Sequence, residues 1–141
     1  MIAFIGPIGQ LTLENTDFRQ VLCAGERAQL ASMCLAPGEE IGVEVHPDFD
    51  EFFRIEAGKA RFVLSGNREH IVRDGDAVVV PSGTYHNVIN ASKTAPLKLC
   101  TIYSPPAHPD GTAQKTGAEA EAAAELEPRR GELAFCVHVQ Y

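Results

Sequence analysis

Two glycine-bounded segments, one hairpin's length apart, constrain this chain more than any other feature. The first runs Gly38-x5-Glu44-Val45-His46-x4-Glu51-x6-Gly58 and the second Gly75-x5-Pro81-Ser82-Gly83-x2-His86-x3-Asn90. Glycine and proline at these points call for tight reversals at both ends of short apolar runs. Between the reversals stand two carboxylates and two imidazoles. Glu44 and His46 are two residues apart, so on a strand both side chains leave from one face. Glu51 opens the next run and shares its face with Phe53 and Ile55, while Phe52, Arg54 and Glu56 point the other way. Glu44, His46, Glu51 and His86 together make a ligand set for a divalent transition metal.

The surrounding pattern is one of strands. Segments 30–34, 41–46, 51–56, 60–64, 68–72, 76–80, 85–89 and 97–103 read as strands, each followed by turn formers such as Pro37-Gly38, Ser65-Gly66-Asn67 and Pro81-Ser82-Gly83. Turn signals at such regular spacing favour an all-β sandwich or barrel over a βαβ fold. Beyond Pro106 the character changes. Residues 108–112 form a loop by composition, 118–126 is Ala/Glu-rich and reads as a short helix stopped by Pro128, and 133–141 is either a last strand or a tail.

The paired segments resemble the two motifs of the cupin superfamily, over roughly residues 30–104. The second matches at every defined position. The first matches in all its spacings, but Glu44 stands where a histidine is usual. The resemblance implies a jelly-roll (double-stranded β-helix) barrel of roughly six to eight strands, with a metal held inside by residues 44, 46, 51 and 86. It implies a structural, turn-closing role for Asn90, and homodimers as the family habit. Residues 1–29 are then expected to supply N-terminal strands and a candidate dimer arm, 30–104 the barrel, and 105–141 a loop, short helix and tail. A carboxylate is a legitimate substitute at position 44, since it binds the same ions. Two glutamates and two neutral histidines around M²⁺ leave a formal charge near zero, which is easier to bury than a charged cluster.

Composition narrows the function classes. At 141 residues the chain suits one domain with one core. Its net charge is −7, with Arg129-Arg130 the only adjacent basic pair, which disfavours a nucleic-acid surface. Apolar runs fall far short of the ~20 residues needed to span a bilayer. The N-terminus lacks the pattern of a secretory signal, so a cytoplasmic location is expected. Cys23, Cys34, Cys100 and Cys136 are widely spaced and read as reduced, mostly buried thiols.

Other side chains were candidates for the site. His108 reads as a surface histidine in a loop, the alternative being an acid or base at the barrel mouth. His70 reads as exposed. Tyr85 and Tyr103 read as core packing, the alternative being the cavity wall. Arg54 and Arg61 are the cations best placed for an anionic substrate, although parity turns Arg54 away from Glu51. Phe52 faces outward, where a terminal strand or another subunit should cover it.

The expected function is that of a metal-dependent enzyme acting on a small, oxygen-rich molecule such as a carbohydrate or carbonyl compound. The metal is Mn, Fe, Ni, Co or Zn. The likeness extends to small cupins similar to mannose-6-phosphate isomerases, but a sugar phosphate needs a cationic pocket and none is evident beside the motifs. Dioxygenase chemistry on iron or nickel could use His46, His86 and Glu51. A non-catalytic metal- or ligand-binding module is the reading from a different class. An arginine or general base facing the metal would favour the enzyme; a sealed apolar interior would favour the binding module.

Overall fold

The computed structural model describes residues 3–126. The elements are α1 (Ile8–Glu14), β1 (Arg19–Ala24), β2 (Gln29–Leu35), β3 (Asp50–Ala57), β4 (Lys59–Leu64), β5 (Arg68–Arg73), β6 (Ala77–Val80), β7 (His86–Asn90), β8 (Leu97–Ser104), β9 (Ala113–Gln114) and α2 (Gly117–Leu126). Two antiparallel sheets pack as a jelly roll, one in the order β6-β3-β8-β2-β1-β9 and the other β5-β4-β7. No helix among the described residues is long and apolar enough to cross a membrane. The expectation for 133–141, and with it Cys136, lies outside the described residues.

Strand parity sets the interior. In β3, Glu51, Phe53 and Ile55 are buried while Asp50 and Arg54 are exposed, the alternation expected of a strand with one face inward. Met33, Leu35, Phe53, Ile55, Phe62, Val88, Leu97 and Leu99 fill the space between the sheets. Phe53 and Phe62 meet edge to face across it at 5.1 Å. Each such buried ring contributes about 1.5–3 kcal/mol relative to exposure. A smaller cluster of Val21, Ala31 and Tyr103, with Phe49 and Ala107 against it, closes one end.

Two expectations are corrected. Residues 41–46 form no regular strand. Gly42 adopts φ +105° and interrupts the run, leaving isolated bridges from Glu40 to Ile89 and from Glu44 to His86. The five residues 40–44 thus lie opposite the four residues 86–89, an extra residue of the kind that bends a strand. Among the described residues before Gln29, Arg19–Ala24 is a strand, paired with β2 and β9, while Ile8–Glu14 is a helix. That helix packs on the chain's own β3, β8 and β2. Thr12 is fully buried there, and Lys98 donates to the Asn15 carbonyl. The helix covers only part of the outer face of β3: Phe52 is half-buried, while its cross-strand neighbour Val79 is 65% exposed. The short helix before Pro128 forms as expected, starting at Gly117.

Candidate metal centre

The two motifs are joined through their backbones. Glu44 N–H donates to the His86 carbonyl at 2.8 Å, His86 N–H donates back at 2.9 Å, and Gly83 N–H donates to the His46 carbonyl at 2.8 Å. Residues exchanging both hydrogen bonds in an antiparallel pair point their side chains to the same face. Glu44 and His86 therefore both project inward, and β3 brings Glu51 to the same place. One donor atom from each of Glu44, His46, Glu51 and His86 lies within 4.8 Å of the others. His46 Nε2 is 3.2 Å from both Glu44 Oε2 and Glu51 Oε2, and His86 Nε2 is 3.3 Å from Glu51 Oε2. Adjacent donors around an ion with bonds of about 2.1 Å are about 3.0 Å apart, and opposite donors about 4.2 Å. The four side chains could hold such an ion.

Neighbouring groups orient two of the four donors. Thr101 Oγ1 donates to Glu51 Oε1 at 2.8 Å, which leaves Oε2 turned to the centre. His86 Nδ1 lies 2.9 Å from the Thr84 carbonyl. A carbonyl only accepts, so Nδ1 carries the proton and the lone pair of neutral His86 sits on Nε2. Glu51 Oε2 and His86 Nε2 are fully buried and have no well-aligned hydrogen-bond partner among the described residues. Buried donors left in this way are what a metal site requires and what a plain polar core avoids. Phe49 stacks on His46 with ring centroids 4.2 Å apart and meets Tyr103 edge-on at 6.0 Å, so aromatic rings wall the site.

The electrostatics are those of tightly opposed charges. Burial pushes the Glu51 carboxyl up, but His46 and His86 outweigh it and hold it below the usual carboxylate range. Glu44 behaves alike: burial and the Glu51 charge raise it, His46 and Arg19 lower it, and the net direction is down. For His86, burial favours the neutral ring, yet the Glu51 carboxylate raises its pKa.

Of the cations named from sequence, neither faces the site. Arg54 is exposed and pairs with Glu56 at 2.8 Å; Arg61 pairs with Glu69 at 3.1 Å on the outer hairpin. Arg19, which sequence reading passed over, is 5% exposed and acts electrostatically on both Glu44 and Glu51. Its signal was available: Arg19 has the parity of buried Val21 on β1, a charge at an inward position. His108 also departs from the expectation of a surface histidine. Gln29 accepts from the Ala107 and His108 N–H groups at 3.1 and 2.9 Å and donates to the His108 carbonyl at 2.7 Å. This holds the half-buried His108 ring against Tyr103, centroids 5.0 Å apart. Burial, with the Arg19 cation adding to it, lowers the His108 pKa to about 3. Tyr103 is buried, as packing required, but Tyr85 is 49% exposed. His70 is exposed. The thiols of Cys34 and Cys100 are free.

Asn90 acts structurally. Its amide nitrogen lies 3.1, 3.1 and 2.9 Å from the Leu35, Ala36 and Ala95 carbonyls, and its Oδ1 accepts from Ser92 N–H at 2.9 Å.

Comparison with known proteins agrees with this architecture. Residues 31–103 match the family model described as a cupin domain. The chain is 45% identical over 125 residues to the uncharacterized protein YrkC of Bacillus subtilis (strain 168), covering 85% of this chain and 67% of that protein. The crystal structure of BH2720 from Bacillus halodurans superposes with a TM-score of 0.82 at 39% identity, over 84% of this chain and 93% of that one. A mannose-1-phosphate guanylyltransferase, ManC of Salmonella typhimurium, is 31% identical over 81 residues, which is 57% of this chain but 16% of that protein.

Proposed function

The chain belongs to the cupin domain family, and from that premise we propose that it binds one divalent transition metal ion through Glu44, His46, Glu51 and His86 and acts as an enzyme on a small, oxygen-rich molecule. The observation that carries this reading is the convergence of four buried donor atoms within 4.8 Å of one another. Thr101 and Thr84 keep two of them in ligating form. Mn, Fe, Ni, Co and Zn all suit mixed imidazole and carboxylate ligation. When bound, the ion supplies Lewis acidity that polarises a carbonyl or stabilises an enediolate.

The chain's own residues support an enzyme over an inert metal store. Buried Arg19 acts electrostatically on Glu44 and Glu51, which favours developing negative charge at the centre. Phe49 and Tyr103 limit water at the site. His108 is held as a neutral ring at the same end. One observation favours the non-catalytic reading: His86, Glu51 and His46 are only 2%, 3% and 4% exposed, so the opening is narrow. An iron- or nickel-dependent dioxygenase, using His46, His86 and Glu51, is the alternative chemistry. Sugar-phosphate isomerisation draws little support, because a phosphate dianion needs clustered cations and Arg54 and Arg61 point away.

Metal analysis of the purified protein tests the core of this reading. About one equivalent of metal is expected in the wild type and little in Glu44→Ala, His46→Ala or His86→Ala. Stoichiometric metal in Glu44→Ala and His46→Ala would refute the site. Oxygen consumption by the iron-loaded protein separates the dioxygenase from the Lewis-acid reading.

We also propose a homodimer in the cytoplasm. Val79 on the edge strand β6 and Ile71 on β5 are 65% and 48% exposed, apolar side chains available to a second copy. The free thiols of Cys34 and Cys100 suit a reducing compartment. Light scattering that returns a monomer at micromolar concentration would remove the dimer.

A further inference from the structure

The charge at the closed end of the barrel changes once Arg19 is included. Glu44 and Glu51 bring two negative charges, and with neutral histidines and a divalent ion the four ligands alone are balanced. Arg19 adds one positive charge on the same inner face. It is buried, its Nη1 donates to Gln114 Oε1 at 2.9 Å, and its neighbours include the Tyr103 hydroxyl, Glu44 and Glu51. Its Nε is fully buried with no hydrogen-bond partner among the described residues. A guanidinium that only fastened β9 through Gln114 would not need to leave an N–H unmade, nor to carry charge into the interior. With the ion in place the interior carries a net positive charge, which a buried site does not tolerate without a counter-ion.

We propose that Arg19 is a specificity-determining residue that makes this centre select a small monoanionic oxygen ligand, a carboxylate or enolate, over neutral molecules of the same shape. The proposal rests on the metal-site reading above and deepens it by naming the substrate class. One guanidinium matches one negative charge, and its remaining N–H suits an anionic oxygen acceptor. The near-complete burial of the ligands restricts the anion to a few heavy atoms.

The test is calorimetric titration of the manganese-loaded protein at neutral pH with pyruvate and with its neutral amide, pyruvamide. In the wild type, pyruvate should bind about tenfold or more tightly than pyruvamide. Arg19→Gln should retain its manganese while losing about tenfold in pyruvate affinity, and Arg19→Lys, which keeps the charge, should recover most of it. Equal affinity for the two ligands, no pyruvate binding at millimolar concentration, or undiminished binding by Arg19→Gln would overturn the proposal. If Arg19→Gln does not fold, the comparison of the two ligands on the wild type decides alone. A wild type that takes up no manganese defeats the metal reading and this one with it; a manganese-loaded wild type indifferent to ligand charge defeats only this one.

Discussion

Glu44 and His86 clasp each other through their main chains, each N–H donating to the other's carbonyl at 2.8 and 2.9 Å. That pair fixes where the side chain at position 44 begins, whatever that side chain is. The substitution of a carboxylate for histidine therefore alters the charge of the centre without moving its walls.

Restoring the histidine tests this directly. Glu44→His should fold and hold about one equivalent of metal, because the backbone pair is unchanged and imidazole binds the same ions. Elemental analysis of the purified variant reads the outcome. A folded but metal-free variant would show that position 44 must be anionic.

Thr101 should matter more than a lone hydroxyl usually does. Its hydroxyl donates to buried Glu51 Oε1, so Thr101→Val strands a carboxylate oxygen. A loss of about 1–3 kcal/mol is expected in denaturant unfolding of the chelated protein. Metal affinity should fall about 10–100-fold by competition with a chromophoric chelator. Unchanged affinity would remove Thr101 from the support of the site.

Stability should respond to pH with opposite sign in the chelated and the loaded protein. The folded pKa of His86 is raised, so its contribution is full below about 6.5 and fades as pH climbs through the folded value. Glu44 and Glu51 are lowered, so their contribution is present above 4.5 and is lost as pH falls through their folded values. The chelated protein is then most stable in mildly acidic solution. Metal ligation needs the unprotonated imidazole, so the loaded protein gains stability as pH rises through the same region. Thermal melts of both forms across this window should diverge upward. Parallel curves would argue against histidine ligation.

Asn90 should be costly to remove although it touches no ligand. Asn90→Ala leaves the Leu35, Ala36 and Ala95 carbonyls without their shared donor. About 1–3 kcal/mol or more should be lost, with metal stoichiometry intact in whatever protein remains folded. Loss of metal from folded Asn90→Ala would show that this residue shapes the site itself.

The sequence by itself determined what is local. Glycine and proline positions mark the reversals, and the two-residue period of a strand says which side chains share a face. Glu44, His46, Glu51 and His86 were legible for that reason, as were the outward turn of Arg54 and the helix near residue 118. Gly42 was the local signal missed, since its positive φ breaks the strand expected at 41–46. The tertiary structure alone decided what meets across the sheets. Thr101 reaches Glu51 over 50 residues, Gln29 grips the His108 backbone over 79, and Arg19 reaches Gln114 over 95. Parity assigns a face but not a neighbour, because neighbours follow from strand order and register. Those are set by the packing of the whole core, which is how an arginine far from both motifs comes to act electrostatically on Glu44 and Glu51.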